Sequence, residues 1–243
     1  MAARWPAAVE RWRPLAAREG GRAPVELLLA IINHESGGVA GLPSTGTTKK
    51  SYTDAERAAC GLPAALRARS LGLMQVSPGL WRAFNATRPG EVSPCDLAAS
   101  TDEGAAKQIR IGAWYAALCL DRSRDLVDAS AWPGGLPSRE HVEWAALCYA
   151  QGIDGVHNQV AAAGAAGFPR TVAGVEAFKP KWGAPETPFL FARSVGSGYA
   201  GAPMPARRSP SGPGTGTGLG LGHILAVVLL LWSWSKRARA LTS

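Results

Sequence analysis

The residues that invite a chemical reading lie in "LLLAIINHESGG", residues 27–38. An aliphatic run carries straight into an acid, Glu35, and two glycines then end it. On a helix, Leu28, Ile31 and Ile32 precede Glu35 on the same face, so its carboxylate projects from the apolar side. Desolvation there disfavours the charged form. Gly37 and Gly38 put Glu35 in the last turn, where the negative end of the helix dipole also disfavours an anion. A carboxyl held protonated near neutral pH is what a general acid for glycosidic cleavage requires. A glutamate that simply reaches out to solvent from a helix end gives the same sequence.

The second stretch is "SLGLMQVSPGLWRAFN", residues 70–85. Gly72 permits a tight turn or a close backbone approach. Met74 is a flexible apolar filler, and Gln75 both donates and accepts hydrogen bonds. Together they would suit a groove that holds a sugar ring, although a helix start with a core methionine reads the same way.

The order of these motifs, "ES" closing an apolar helix and "GLMQV.P..W" downstream, resembles the soluble lytic transglycosylase (SLT) domain, a relative of goose-type lysozyme. "QIRIGAWYAALC" (108–119), "WAALCYAQG" (144–152) and "APETPFLFARSV" (184–195) are similar to later segments of that family, so the likeness spans about residues 20–199. It implies an all-α, lysozyme-like helical domain with a saccharide cleft. It further implies cleavage of the β-1,4 bond between N-acetylmuramic acid and N-acetylglucosamine in peptidoglycan glycan strands. Carried over, Glu35 is the sole catalytic acid and base. Ser36 orients it or the substrate. Gly72, Leu73, Met74 and Gln75 line the cleft wall, and Tyr149 hydrogen-bonds near Glu35 and fixes its rotamer. Ala150 stands where the family usually has Asn, and Gln151 beside it is the candidate to replace the lost amide.

A hydrolase normally sets two carboxylates across the bond, and the motif segments supply one. In the family the muramoyl N-acetyl group is thought to assist, and a 1,6-anhydro end forms without water. Asp54, Glu56, Asp96 or Asp154 as a second carboxylate would allow lysozyme-type hydrolysis instead. A non-cleaving wall-binding or assembly protein is the third reading, prompted by Ala150. Residues 36–71 form a longer connection than the family's. They are expected to hang beside the cleft, with a short helix capped by Asp54. Lys49, Lys50 and Arg57 on this segment could meet acidic groups of the substrate.

The elements that must carry these residues are helical, since alanine and leucine abound and strand-type alternation is scarce. Trp5, Val9, Trp12 and Leu15 recur at helical spacing and suggest one amphipathic N-terminal helix. No signal-peptide core precedes them. Trp81, Trp114, Tyr115 and Trp144 could stack on sugars or pack the core. His34, His141 and His157 lack metal-ligand spacing, no phosphate-cradling glycine loop occurs, and no cofactor is expected. Cys119 and Cys148 sit in apolar runs and read as buried thiols. Cys60 and Cys95 lie in loop-like sequence and could pair in an exported domain.

The formal net charge is +8, unevenly spread. All the acidic residues and all but five of the basic ones lie within residues 1–200; the five are Arg207, Arg208, Lys236, Arg237 and Arg239. A near-balanced domain with a basic tail argues against a nucleic-acid partner and for an anionic surface. Residues 201–218 form a Pro/Gly/Ser-rich linker. The apolar segment 219–235 is at the short end of the roughly 17–25 residues that cross a bilayer. Trp232, Trp234 and the basic tail 236–243 flank it as interfacial and cytoplasmic residues would. A membrane anchor with the large domain on the cell-wall side is expected. A processed or interfacial tail is the alternative.

Overall fold

The computed structural model describes residues 4–126, 137–178 and 187–200. The linker, the apolar segment and the basic tail lie outside the described residues, as does most of "APETP". Among the described residues no strand occurs, only two isolated bridges, and no helix is long and apolar enough to cross a membrane. The expected all-α class holds for this part of the chain.

The N-terminal segment is two short helices, α1 (Ala7–Glu10) and α2 (Arg13–Glu19), rather than one. Pro14 has no amide hydrogen to continue the ladder, so the helix restarts there. The aromatic face is nonetheless core: Trp5, Val9 and Trp12 are buried and Leu15 packs against them. Next comes α3 (Val25–Glu35), in which every residue from Leu27 to Ile32 is buried. This helix therefore has no polar face along its middle. Glu35 escapes full burial because it is the last residue of the helix, and not because its neighbours form one apolar stripe.

The long connection folds against the domain. It holds α4 (Asp54–Ala58) and a 3-10 turn at Ala64–Leu66. The cap of α4 is Thr53, not Asp54. Thr53 Oγ1 accepts from Glu56 N, and the Glu56 carboxylate accepts from Thr53 N. A threonine one residue earlier completes this reciprocal box, and Asp54 instead pairs with Arg57. Arg82 grips Glu56 and the Ser51 carbonyl. A disulfide joins Cys60 to Cys95, tying the connection to the N-terminus of α6.

Then follow α5 (Pro78–Thr87), α6 (Pro94–Ala98), α7 (Asp102–Arg122), a 3-10 turn at Arg124–Leu126, α8 (Arg139–Gln151), α9 (Ile153–Ala165), α10 (Val172–Phe178) and α11 (Thr187–Ala200). Ser77, Ser93, Thr101 and Ser138 each cap the helix that follows by accepting a backbone N–H. Helix α8 is central, packed between α7, α9 and α11, and α11 also lies against α3. Cys119 and Cys148 are fully buried free thiols, as expected, and burial pushes the Cys148 thiol up to about 12. Arg110 of α7 reaches Glu19 of α2 at 2.7 Å and locks the first helices onto the core.

Candidate active site

Three separate stretches meet at the C-terminal end of α3. The helix stops because Gly37 (φ 61°) and Gly38 (φ 88°) both adopt left-handed backbone, which leaves Glu35 half-buried at its end. Gly38 is also forced by contact, because a Cβ there would stand 2.2 Å from the Ala8 carbonyl oxygen. Trp12 Nε1 donates to the Gly38 carbonyl at 2.8 Å and pins the turn from behind. Ser36 is buried. Its hydroxyl donates to Ile32 O at 3.1 Å and accepts from Gly38 N at 3.2 Å. Its one donor and one of its acceptor positions are used inside its own turn, so it shapes the helix end.

The second stretch is a tight turn closed by a mutual backbone pair. Leu71 N donates to Val76 O at 3.0 Å and Val76 N to Leu71 O at 2.9 Å. Gly72 (φ 84°) and Gln75 (φ 48°) are both left-handed, and Gln75 is the one non-glycine residue so placed among the described residues. Strain of this kind persists where the surroundings over-determine it. Here Gln75 Nε2 donates to Leu42 O at 2.9 Å and to Gly72 O at 3.0 Å. Leu73 and Met74 are wholly buried. Apolar burial draws both side chains inward, so what the turn presents outward is backbone and Gln75. Met74 fills the space above Gly112 of α7, where a Cβ would meet its sulfur at 2.2 Å.

Tyr149, on the last turn of α8, joins the two. Its hydroxyl donates to the Met74 carbonyl at 2.8 Å. Burial, and next the nearby Glu35 charge, push its phenol well above the ordinary value. Tyr149 thus stands beside Glu35, but its proton is committed to the turn. Its ring centroid lies 5.2 Å from that of Tyr115 and 6.3 Å from that of Phe191 on α11. Phe191 in turn meets the His34 ring edge-on at 4.7 Å, beside Glu35. An acid, a strained turn and an aromatic wall are therefore assembled from five segments, α3, the 72–75 turn, α7, α8 and α11.

No family model, no curated protein and no solved structure matches the chain.

The remaining candidates sort by their partners. Asp54 is held by Arg57, Glu56 by Arg82 and Asp96 by Lys107, at 2.5–2.9 Å. These three carboxylates are engaged in structural pairs. Asp154 of α9 and Gln151 of α8 each bury a side-chain oxygen that has no hydrogen-bond partner. Trp144 is fully buried and Tyr115 nearly so, whereas Trp81 and Trp114 keep partial exposure. His141 Nε2 donates to Leu120 O at 2.8 Å, and His157 Nε2 lies 2.9 Å from Arg122 O. An open groove lined by Arg139, Glu140, Glu143, Thr171, Val172 and Ala173 sits at the opposite end of α8, about 15 Å along the helix from Tyr149.

Sequence reasoning passed over Gln108, Leu42 and Phe191. Gln108 carried a legible signal: it stands midway between Gly104 and Gly112 at four-residue spacing, a polar residue on a stripe of small ones. Nothing in the sequence marks the Leu42 carbonyl, which belongs to the backbone. Phe191 reads as an ordinary apolar position.

Proposed function

We propose that the chain is a peptidoglycan lytic transglycosylase, with Glu35 as its catalytic acid and base. The observation that carries this reading is the meeting of Glu35 with the 72–75 turn through Tyr149. Those residues are far apart in the sequence, and they are the ones the family resemblance singles out. Protonated Glu35 donates to the oxygen that bridges the muramoyl and glucosaminyl rings, and the C1–O bond breaks. The muramoyl acetamido oxygen stabilises the cationic C1. The Glu35 carboxylate then takes the proton of the C6 hydroxyl as O6 bonds to C1, which gives a 1,6-anhydro ring and returns the proton to Glu35. No water is consumed. Glu35 stands half-buried at the C-terminal end of α3, where a substrate in the groove could reach its carboxyl. The Cys60–Cys95 disulfide accords with a domain that works outside the reducing cytoplasm. Residues 219–235 would tether it to the membrane, with residues 236–243 on the inner side.

The test is product analysis. The chain is incubated with purified peptidoglycan and the released fragments are weighed. Anhydro-muramoyl ends are expected. Reducing ends would instead mean hydrolysis, and intact sacculi with retained protein would mean a binder. Glu35→Gln should cut the rate by at least about 100-fold with the fold retained. A fully active variant would remove Glu35 from the mechanism.

A further inference from the structure

Gln108 of α7 is completely buried, and its carboxamide is satisfied on every side. Nε2 donates to Asp96 O at 2.9 Å and Ala99 O at 2.8 Å. Oε1 accepts from Leu73 N at 2.9 Å and from Gly41 N at 3.4 Å. One amide therefore spans three separate segments: the chain leaving α3, the 72–75 turn and the end of α6. The glycines around it make the fit possible. A Cβ on Gly72 would lie 2.6 Å from the Gln108 carboxamide carbon. A Cβ on Gly104 would collide with Ala99, and one on Gly112 with Met74. The stripe Gly104–Gln108–Gly112 is thus a seat into which the α6 end and the turn drop. A buried polar group with all its partners in place fixes one geometry, since any shift leaves a donor or acceptor unpaired.

We propose that Gln108 is the positioning residue of the site: by holding Leu73 N it fixes the backbone of the 72–75 turn at its working distance from Glu35 and Tyr149. It touches no substrate itself. The turn is held from three sides, by Leu42 O through Gly72 N and Gln75, by Tyr149 through Met74 O, and by Gln108 through Leu73 N. Only Gln108 also binds the end of α6, to which Cys95 ties the long connection. The functional part of this inference rests on the glycan reading above. The structural part does not.

The test uses Gln108→Met, which keeps length and removes every hydrogen bond, in the full chain. Two quantities are read. Hydrogen exchange at the Leu73 amide should speed up well beyond that of amides in the middle of α7 and α8. Cleavage of solubilised peptidoglycan per folded molecule should fall by about 100-fold in kcat/KM, with KM rising, as misplacement of a positioning element predicts. A variant that merely unfolded in part would keep both kcat and KM once the rate is expressed per folded molecule. If Gln108→Met does not fold, Gln108→Asn keeps the amide but shortens its reach, and should give the same two effects in weaker form. Unchanged Leu73 protection overturns the clamp, whether or not the chain cleaves glycan. Lost protection with wild-type KM and kcat overturns its link to the site. A wild-type chain that neither binds nor cleaves glycan defeats the functional part, and Leu73 exchange then decides the clamp alone.

Discussion

At the scale of single residues, the 72–75 turn depends on where the Tyr149 proton is held. The Tyr149 hydroxyl proton lies on Met74 O, and the phenolate is strongly disfavoured by burial and by Glu35. Tyr149→Phe keeps the rings packed against Tyr115 and Phe191 but orphans the Met74 carbonyl. The expected cost is about 1–3 kcal/mol, a fall of several degrees in Tm by thermal denaturation. Cleavage should weaken with it, because the turn loses one of its three holds. Unchanged stability would mean that the carbonyl finds another donor. Glu35, Gly72 and Gln75 drew notice by type and position, whereas Tyr149 entered only through the family resemblance. The inward turn of Leu73 and Met74 was not legible, because a tight turn can present either face.

Helix ends decide much at the scale of elements. α6 has only five residues and exists because Ser93 and Asp96 cap it reciprocally, with Pro94 in its first turn. Burial alone would raise the Asp96 carboxyl. Hydrogen bonds from the Ser93 backbone and hydroxyl, and the Lys107 ammonium, outweigh that and lower it. A lowered folded pKa means that the unfolded chain binds the proton more readily. The stabilisation is therefore complete above the ordinary aspartate value and is lost as pH falls through the folded one. Wild type should exceed Asp96→Asn in Tm at neutral pH, and the gap should close below about pH 4. A gap independent of pH would show that the carboxylate charge contributes nothing. Since the α6 carbonyls hold Gln108, this cap also bears on the site. Thr53 displaced Asp54 as the α4 cap for the same kind of reason: three residues after Thr53 stands Glu56, which accepts back, whereas three after Asp54 stands Arg57, which has no acceptor.

For the molecule as a whole, the disulfide and the charge distribution bear on the membrane-anchored arrangement proposed above. Cys60 and Cys95 close a long loop, which is worth about 2–4 kcal/mol where the bond can persist. If residues 219–235 anchor the chain with the basic tail inside, protease added to intact spheroplasts should digest residues 1–200. Alkylation before reduction should then label Cys119 and Cys148 only after unfolding, and leave Cys60 and Cys95 unlabelled. A protected domain with four reactive thiols after unfolding would reverse the assignment.

The sequence by itself determined the helical class, the stop at Gly37–Gly38 and the buried thiols. These are local matters: periodicity, φ-permissive glycines and apolar runs express themselves within a few residues. Only the tertiary structure decided that Ser36 turns back on its own helix, that Leu73 and Met74 join the core, that Cys60 meets Cys95, and that Gln108 binds three segments at once. Those outcomes depend on which distant backbone groups arrive beside a given side chain. Backbone carbonyls such as Leu42 O and Met74 O are the same in every residue, so no reading of residue types could single them out.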